Sequence, residues 1–437
     1  MDKKSIIKIA IIIVLIIILG ILISIIVNET NLQNNQIMNS NGAPPDRPGE
    51  SNSSSVSHTG ATEISTDTTS SGSNYSSESG SQNALLVTGG TSTISNPTVT
   101  KTGDSDGDNS DFYGTNAAVL AKEGTLNING GTVTTNGSHA NGIFAYSNGK
   151  INITDTTIKT TSNNSGAIMV TGGGTLTANN VTAETDGNSS APIRSDRGGG
   201  TLTVNGGKYT ANGVGSPAIY STANITVNNA TLVSTKSEGA VVEGKNSITL
   251  NNVTLTDTNT SLNGNSETYK NIFLYQSMSG DADEGTASFT TTDSNIITNK
   301  GDTIFVTNTK ATISLTNNNI TTNDSTGGFL RIQAGKWGTS GSNGGEVTLN
   351  ANNQKISGNI YVDNISTLEM NLSNGSTYTG TINSENTAKT LNITLDSNSK
   401  LTLTGDSYVT SLKDADSTYS NINFNGYKLY VNGTTIN

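Results

Sequence analysis

The chain contains no cysteine, a single tryptophan and two histidines among its 437 residues. Without thiols it forms no disulfide, no thiolate metal centre and no lipid anchor on cysteine, and it is compatible with an oxidising exterior. Charged residues are 13% of the chain, about half the ordinary share. Their balance is −11, with no strong basic cluster outside the first eight residues. Such a chain is a poor partner for nucleic acid or anionic lipid. Aromatics are 5%. Helical periodicity is absent throughout, which excludes a helical solenoid. Gly, Asn, Thr and Ser fill the space that these classes leave.

What is present is a ladder. Short apolar strands recur at Leu126, Ile151, Leu176, Leu202, Ile225 and Ile248, with nearly the same text around each: LNINGGTV, INITDTTI, LTANNVTA, LTVNGGKY, ITVNNATL, ITLNNVTL. A fixed period of this length marks a stacked-repeat architecture, in which each unit buries its apolar face only against its neighbours. A further strand precedes each anchor, at Leu86, Val119, Ile143, Ile168, Ile193, Ile219, Val241, Ile272, Ile304, Leu330 and Ile360. Apolar and polar residues alternate within each strand, so one set of side chains points into the coil. Polar corners separate the strands: Asn129–Gly130, Thr154–Asp155, Asn179–Asn180, Asn205–Gly206, Asn228–Asn229, Asn251–Asn252, Asp293–Ser294 and Asn317–Asn318. Asn and Gly tolerate the left-handed backbone of a tight corner, and stacked Asn side chains can bond from coil to coil.

The expected fold is all-β, a right-handed parallel β-helix with an N-terminal transmembrane helix, in three parts. Residues 1–28 are a cytoplasmic tip and a signal anchor. The apolar run 6–27 has bilayer-spanning length, Lys3, Lys4 and Lys8 place its start in the cytoplasm, and no A-x-A cleavage pattern follows. Residues 29–83 are too poor in apolar residues to fold and are expected to form a disordered Ser/Asn/Thr/Gly-rich stalk, with His58 incidental within it. Residues 84–437 form the helix, roughly a dozen coils and on the order of 55 Å long. Insertions fall at 257–270, 278–285 and 334–346. The expected location is the cell membrane, single-pass, with the bulk of the chain extracytoplasmic.

This repeat pattern resembles the pectin-lyase-like β-helix superfamily over 84–437. The Gly/Thr/Asn-rich text is most similar to adhesin-type and non-catalytic carbohydrate-binding β-helices of cell surfaces. The resemblance implies a rod that presents a long binding face. No C-terminal membrane barrel follows, unlike an ordinary autotransporter.

One candidate face is an outward column with unusual residues: Phe144, Met169, Arg194, Tyr220, Val242, Phe273, Phe305 and Arg331, with Tyr275 in the next outward column. Aromatic faces suit sugar rings, and arginine suits sugar carboxylates. A one-residue register slip, for which Glu243 on the inward set is a warning, or a covering loop would remove this face. Asp196 is the only carboxylate found on it, so no acid pair for glycoside cleavage is visible, and Arg194–Asp196 reads as an ion pair. A second candidate is Asp104, Asp106, Asp108 and Asp111, whose alternation suits Ca2+ although the spacing is not that of an EF-hand. Asp281, Asp283 and Glu284 are a weaker acidic insert. His139 reads as a turn residue, and Trp337 either contacts ligand or caps a coil. The expected function is adhesion or polysaccharide binding without catalysis, toward a polysaccharide or neighbouring-cell ligand. A polysaccharide lyase or hydrolase and a self-associating surface protein are the alternatives.

Overall fold

The computed structural model describes residues 56–262, 266–277 and 279–437. They form a parallel β-helix of about 15 turns. Each turn contributes strands to three faces. The first face contains Ile143–Tyr146, Ile168–Thr171, Ile193–Ser195, Ile219–Ser221 and Ala240–Glu243. The second carries the anchors, as in Lys150–Thr154, Asn224–Asn228 and Ser247–Asn251. The third follows the corner, as in Thr157–Thr160, Thr231–Ser234 and Thr254–Asp257. Strands pair in parallel with the coils before and after. The exception is a terminal antiparallel hairpin of Leu429–Val431 with Thr434–Thr435.

The anchors are the lumen. Leu126, Ile151, Leu176, Leu202, Ile225 and Ile248 are all buried within one continuous core. Full burial of such a side chain contributes roughly 1.5–3 kcal/mol, so the stack is held mainly by this column and its neighbours. Every predicted corner contains a residue with left-handed backbone: Gly130, Asp155, Asn180, Gly206, Asn229, Asn252, Asp293 and Asn317. Asn ladders also form. Asn205 Nδ2 donates to Asn179 Oδ1, Asn228 to Asn205 and Asn251 to Asn228, each at 2.9 Å.

Four readings of the sequence change. Ordered strands begin at Gly60, and Asn74–Ser77 already pairs with Thr98–Lys101, so 60–83 is helix wall rather than stalk. These first coils are built largely of Thr and Ser, and their few apolar residues, Ile64 and Tyr75, are buried against the next coil. His58 is not incidental: its Nε2 lies 2.9 Å from the Tyr113 carbonyl and its ring packs on Tyr146, and burial lowers its pKa. The acidic segment near 108 forms a short helix, Asp108–Tyr113. Finally, the inward set slips by one at two places. Leu85 and Ala240 face the lumen, while Leu86 and Val241 face outward. The turn from Ser234 to Ala240 is two residues shorter than that from Ala211 to Ile219, which shifts the register at this coil. Glu243 therefore points outward, beside Tyr275. The apolar run 6–27 and the first part of the stalk lie outside the described residues. Among the described residues, no helix is long and apolar enough to cross a membrane.

Two stability predictions follow from this wall. Asn228→Ala removes two ladder bonds and is expected to cost about 1–2 kcal/mol in urea unfolding, from the net worth of a hydrogen bond. Asp257 sits in a corner column whose nearest members are Thr185, Ala211, Ser234 and Thr298. Burial pushes its carboxyl up to about 7, with Glu238 adding to the shift and the Asn299 N–H opposing it. A carboxyl raised in the fold favours the fold while protonated. That contribution is complete below the ordinary value of 3.8 and is lost as pH rises through about 7. Asp257→Asn should therefore leave the melting temperature near wild type at pH 4 and raise it above wild type at pH 8.

Candidate functional site

The outward column is real, but much of it is covered. It runs Leu86, Leu120, Phe144, Met169, Arg194, Tyr220, Val241, Phe273, Phe305, Arg331, Tyr361, one residue per coil. Its apolar members form two small clusters separate from the lumen. The expectation of an open stripe is corrected accordingly. Phe144 and Met169 are 0% exposed, and Phe273, Tyr275 and Phe305 are 5–8% exposed. Only Arg194, Tyr220 and Arg331 of the predicted face remain half-buried.

Insertions make the cover. The segment 102–118, with its short helix, lies over Phe144 and Met169. Thr171 Oγ1 donates to the Phe112 carbonyl at 2.6 Å, and left-handed Gly114 seats the helix end so closely that a Cβ there would come within 2.9 Å of the Phe144 ring. The segment after Tyr275 and the Trp337 loop cover the other cluster. Asn343 Nδ2 donates to the carbonyls of Gly335 and Trp337, and Trp337 packs 5.3 Å from Tyr275. Arg197 joins the two sides: its Nε donates to Asp281 Oδ1 at 2.6 Å and its guanidinium lies 4.2 Å from the Phe112 ring centre.

Between these walls lies a cleft of about 340 Å3, within the range of ligand sites. Its lining includes Asp111, Arg194, Asp196, Tyr220, Asp281 and Trp337. Arg194 donates to Asp196 Oδ2 at 3.0 Å. Asp196 nevertheless has its carboxyl raised to about 7, because burial outweighs that pairing and Asp281 and Asp111 add like charge. Beneath Tyr220 and Tyr275, Glu243 accepts from both phenols and from Ser277, with Tyr275 at 2.8 Å. Burial raises the Glu243 carboxyl and both tyrosines. This network fixes the floor of the cleft in one arrangement.

The Ca2+ candidates disperse. Asp104 accepts from the Ser138 N–H at 2.7 Å, Asp111 faces His139 Nδ1 at 2.9 Å, and Asp106 and Asp108 are exposed. Among the described residues no group of three or more His, Asp or Glu is placed to hold a metal. The cleft instead gathers residues that the sequence kept apart: Asp111, Asp196, Asp281 and Trp337. Glu243 had a signal in its awkward place on the inward set. Asp111 and Asp281 had none, because insert conformation decides where they point.

The architecture is that of a parallel β-solenoid. No family model, no curated protein and no solved structure matches the chain.

The role of Arg197 is testable. Its side chain is 6% exposed, and removing it leaves Asp281 half of an ion pair. Arg197→Ala should lose about 2 kcal/mol, the worth of a hydrogen bond to a charged group, and speed limited proteolysis in 102–118 and 276–285. Unchanged proteolysis would show that the two walls are held without it.

Proposed function

We propose that this chain is an extracytoplasmic β-helix surface protein whose outer cleft binds a polysaccharide segment without covalent chemistry. The observation that supports this reading is the cleft itself: Tyr220 and Trp337 stand beside the Arg194–Asp196 pair on a hydrogen-bonded floor. Aromatic rings and fixed polar groups are the two contacts that sugar faces and sugar hydroxyls need. The apolar run 6–27 with its flanking lysines supports placement outside the membrane, with adhesion as the cellular role. The repeat text that resembles pectin-lyase-like surface helices points the same way.

A second reading is cleavage of the bound chain. The observation that favours it is the Asp196 carboxyl at about 7, between Asp111 and Asp281. A carboxyl that holds a proton near neutrality is suited to act as an acid, and a second carboxylate would be its partner.

One experiment separates the two. Full-length protein in detergent micelles is titrated with neutral glucan, mannan and galactan and with anionic galacturonan and hyaluronan. Trp337 is the only tryptophan, so its fluorescence reports the cleft directly. A fluorescence change without release of reducing or unsaturated ends is the expected result. Trp337→Ala, followed by calorimetry, should weaken binding at least tenfold, about 1.4 kcal/mol. Release of chain ends that Asp196→Asn abolishes would replace binding with cleavage. No response to any polymer would overturn both.

A further inference from the structure

Two smaller depressions lie further along the rod. On the far side of Trp337 a second, small depression of about 20 Å3 is lined by Lys270, Phe273, Phe305, Gln333, Lys336 and Trp337 among others. Beyond it a third depression, of about 150 Å3, is lined by Gln333, Arg331, Tyr361, Asp363 and Glu385 among others. Neighbouring depressions share a wall: Trp337 belongs to the first and second, Gln333 to the second and third. All three follow the same outward column. It steps from Arg194 through Tyr220, Val241, Phe273, Phe305 and Arg331 to Tyr361. Asn383 of the next coil lines the third depression as well. At ~4.8 Å per coil this track is ~34 Å long.

Three basic groups along the track are paired, and the fourth, Lys336, is exposed on the lining of the second depression with Glu267 on the same lining. Arg194 meets Asp196 at 3.0 Å, Lys270 meets Glu238 at 3.2 Å, and Arg331 meets Asp302 at 2.6 Å. The Arg194–Asp196 pair is the one expected from the sequence, and Arg331, offered there for sugar carboxylates, already has a carboxylate in Asp302. Asp111, Asp281, Asp363 and Glu385 add negative charge to the lining, and the chain as a whole is at −11. Such a field repels a polyanion. With the lining acidic on balance, recognition falls mainly to rings and hydrogen-bonding groups. Tyr361 is half-buried, with Arg331 stacked 4.2 Å from its ring centre.

We infer that the three depressions are consecutive subsites of one track, and that its ligand is a neutral linear glycan lying along the rod axis, several sugars long. This inference rests on the reading of the cleft as a polysaccharide site. It adds the ligand's charge, its extended shape and its direction across the strands.

The test is a length series. Oligomers of two to eight residues from each neutral polymer that binds are titrated into the full-length protein, by Trp337 fluorescence and by calorimetry. Affinity is expected to rise at least tenfold from the dimer to the octamer. Tyr361→Ala, or Tyr361→Leu if the alanine variant melts early, should remove that gain while leaving the dimer unchanged. Trp337→Ala should weaken both. Equal affinity for dimer and octamer, an octamer indifferent to loss of the Tyr361 ring, or tighter binding of galacturonan than of any neutral chain would each overturn the inference and leave the cleft reading standing. Failure of every polymer to bind would overturn the cleft reading, and this inference with it.

Discussion

Each coil of this protein can satisfy its backbone hydrogen bonds only through the coil before it and the coil after it. A parallel ladder fixes the rise at ~4.8 Å and leaves one register per pair. The lumen column, the Asn ladders and the outward column all inherit that spacing, because they are side chains of the same strands. Low charge and abundant Asn and Thr follow from it as well. Stacked like charges would repel at every step, whereas stacked amides bond to one another at 2.9 Å. The corners meet the same constraint, since each coil must turn within one or two residues, and left-handed Asn, Asp or Gly performs the turn.

A wall so regular has no concavity of its own. Concavity comes from chain that leaves the ladder at a corner and returns to it. The segment 102–118 and the two segments after Tyr275 and Gln333 do this on one face, and the space between them is the cleft. The arrangement lets residues far apart in sequence meet: Arg197 reaches Asp281 of one insert and Phe112 of another. It also divides the labour. The rigid wall supplies Arg194, Asp196, Tyr220 and Glu243, whose positions the ladder fixes, while the inserts supply Asp111, Asp281 and Trp337.

This division explains what could be read from the sequence. The lumen was legible because its signal repeats: anchors and corners each state the same geometry many times. The outward column was legible for the same reason, except at Leu86 and near Glu243; at the second of these a turn shortened by two residues hides behind similar text. The start of the helix was not, because coils of Thr and Ser around Ile64 and Tyr75 have the composition of a linker and fold by pairing with a stronger neighbour. The cleft carboxylates were not legible either. Asp281 sits in an insert with no repeat to align it, and Asp111 sits in an acidic run that suggested a cation before it suggested His139.

The aromatic column shows how one sequence signal leads to opposite outcomes. Phe144 and Tyr361 occupy equivalent outward positions, yet one is fully buried and the other is half-exposed. Nothing in either strand decides this; the presence of a covering insert does. An outward aromatic on a solenoid is therefore an anchor for whatever covers it, whether the chain's own insert or a ligand. Where the chain has inserts, over Phe144, Met169 and Phe273, the column forms two small cores of its own. Past the Trp337 loop, Tyr361 is half-exposed and Tyr408 and Tyr430 stack at 4.6 Å, the spacing of the coils themselves. Between cover and open wall, from Tyr220 to Tyr361, the rings of Tyr220, Trp337 and Tyr361 remain half-exposed, and polar groups beside them are already held in place. That combination distinguishes this stretch from the packed surface under the inserts.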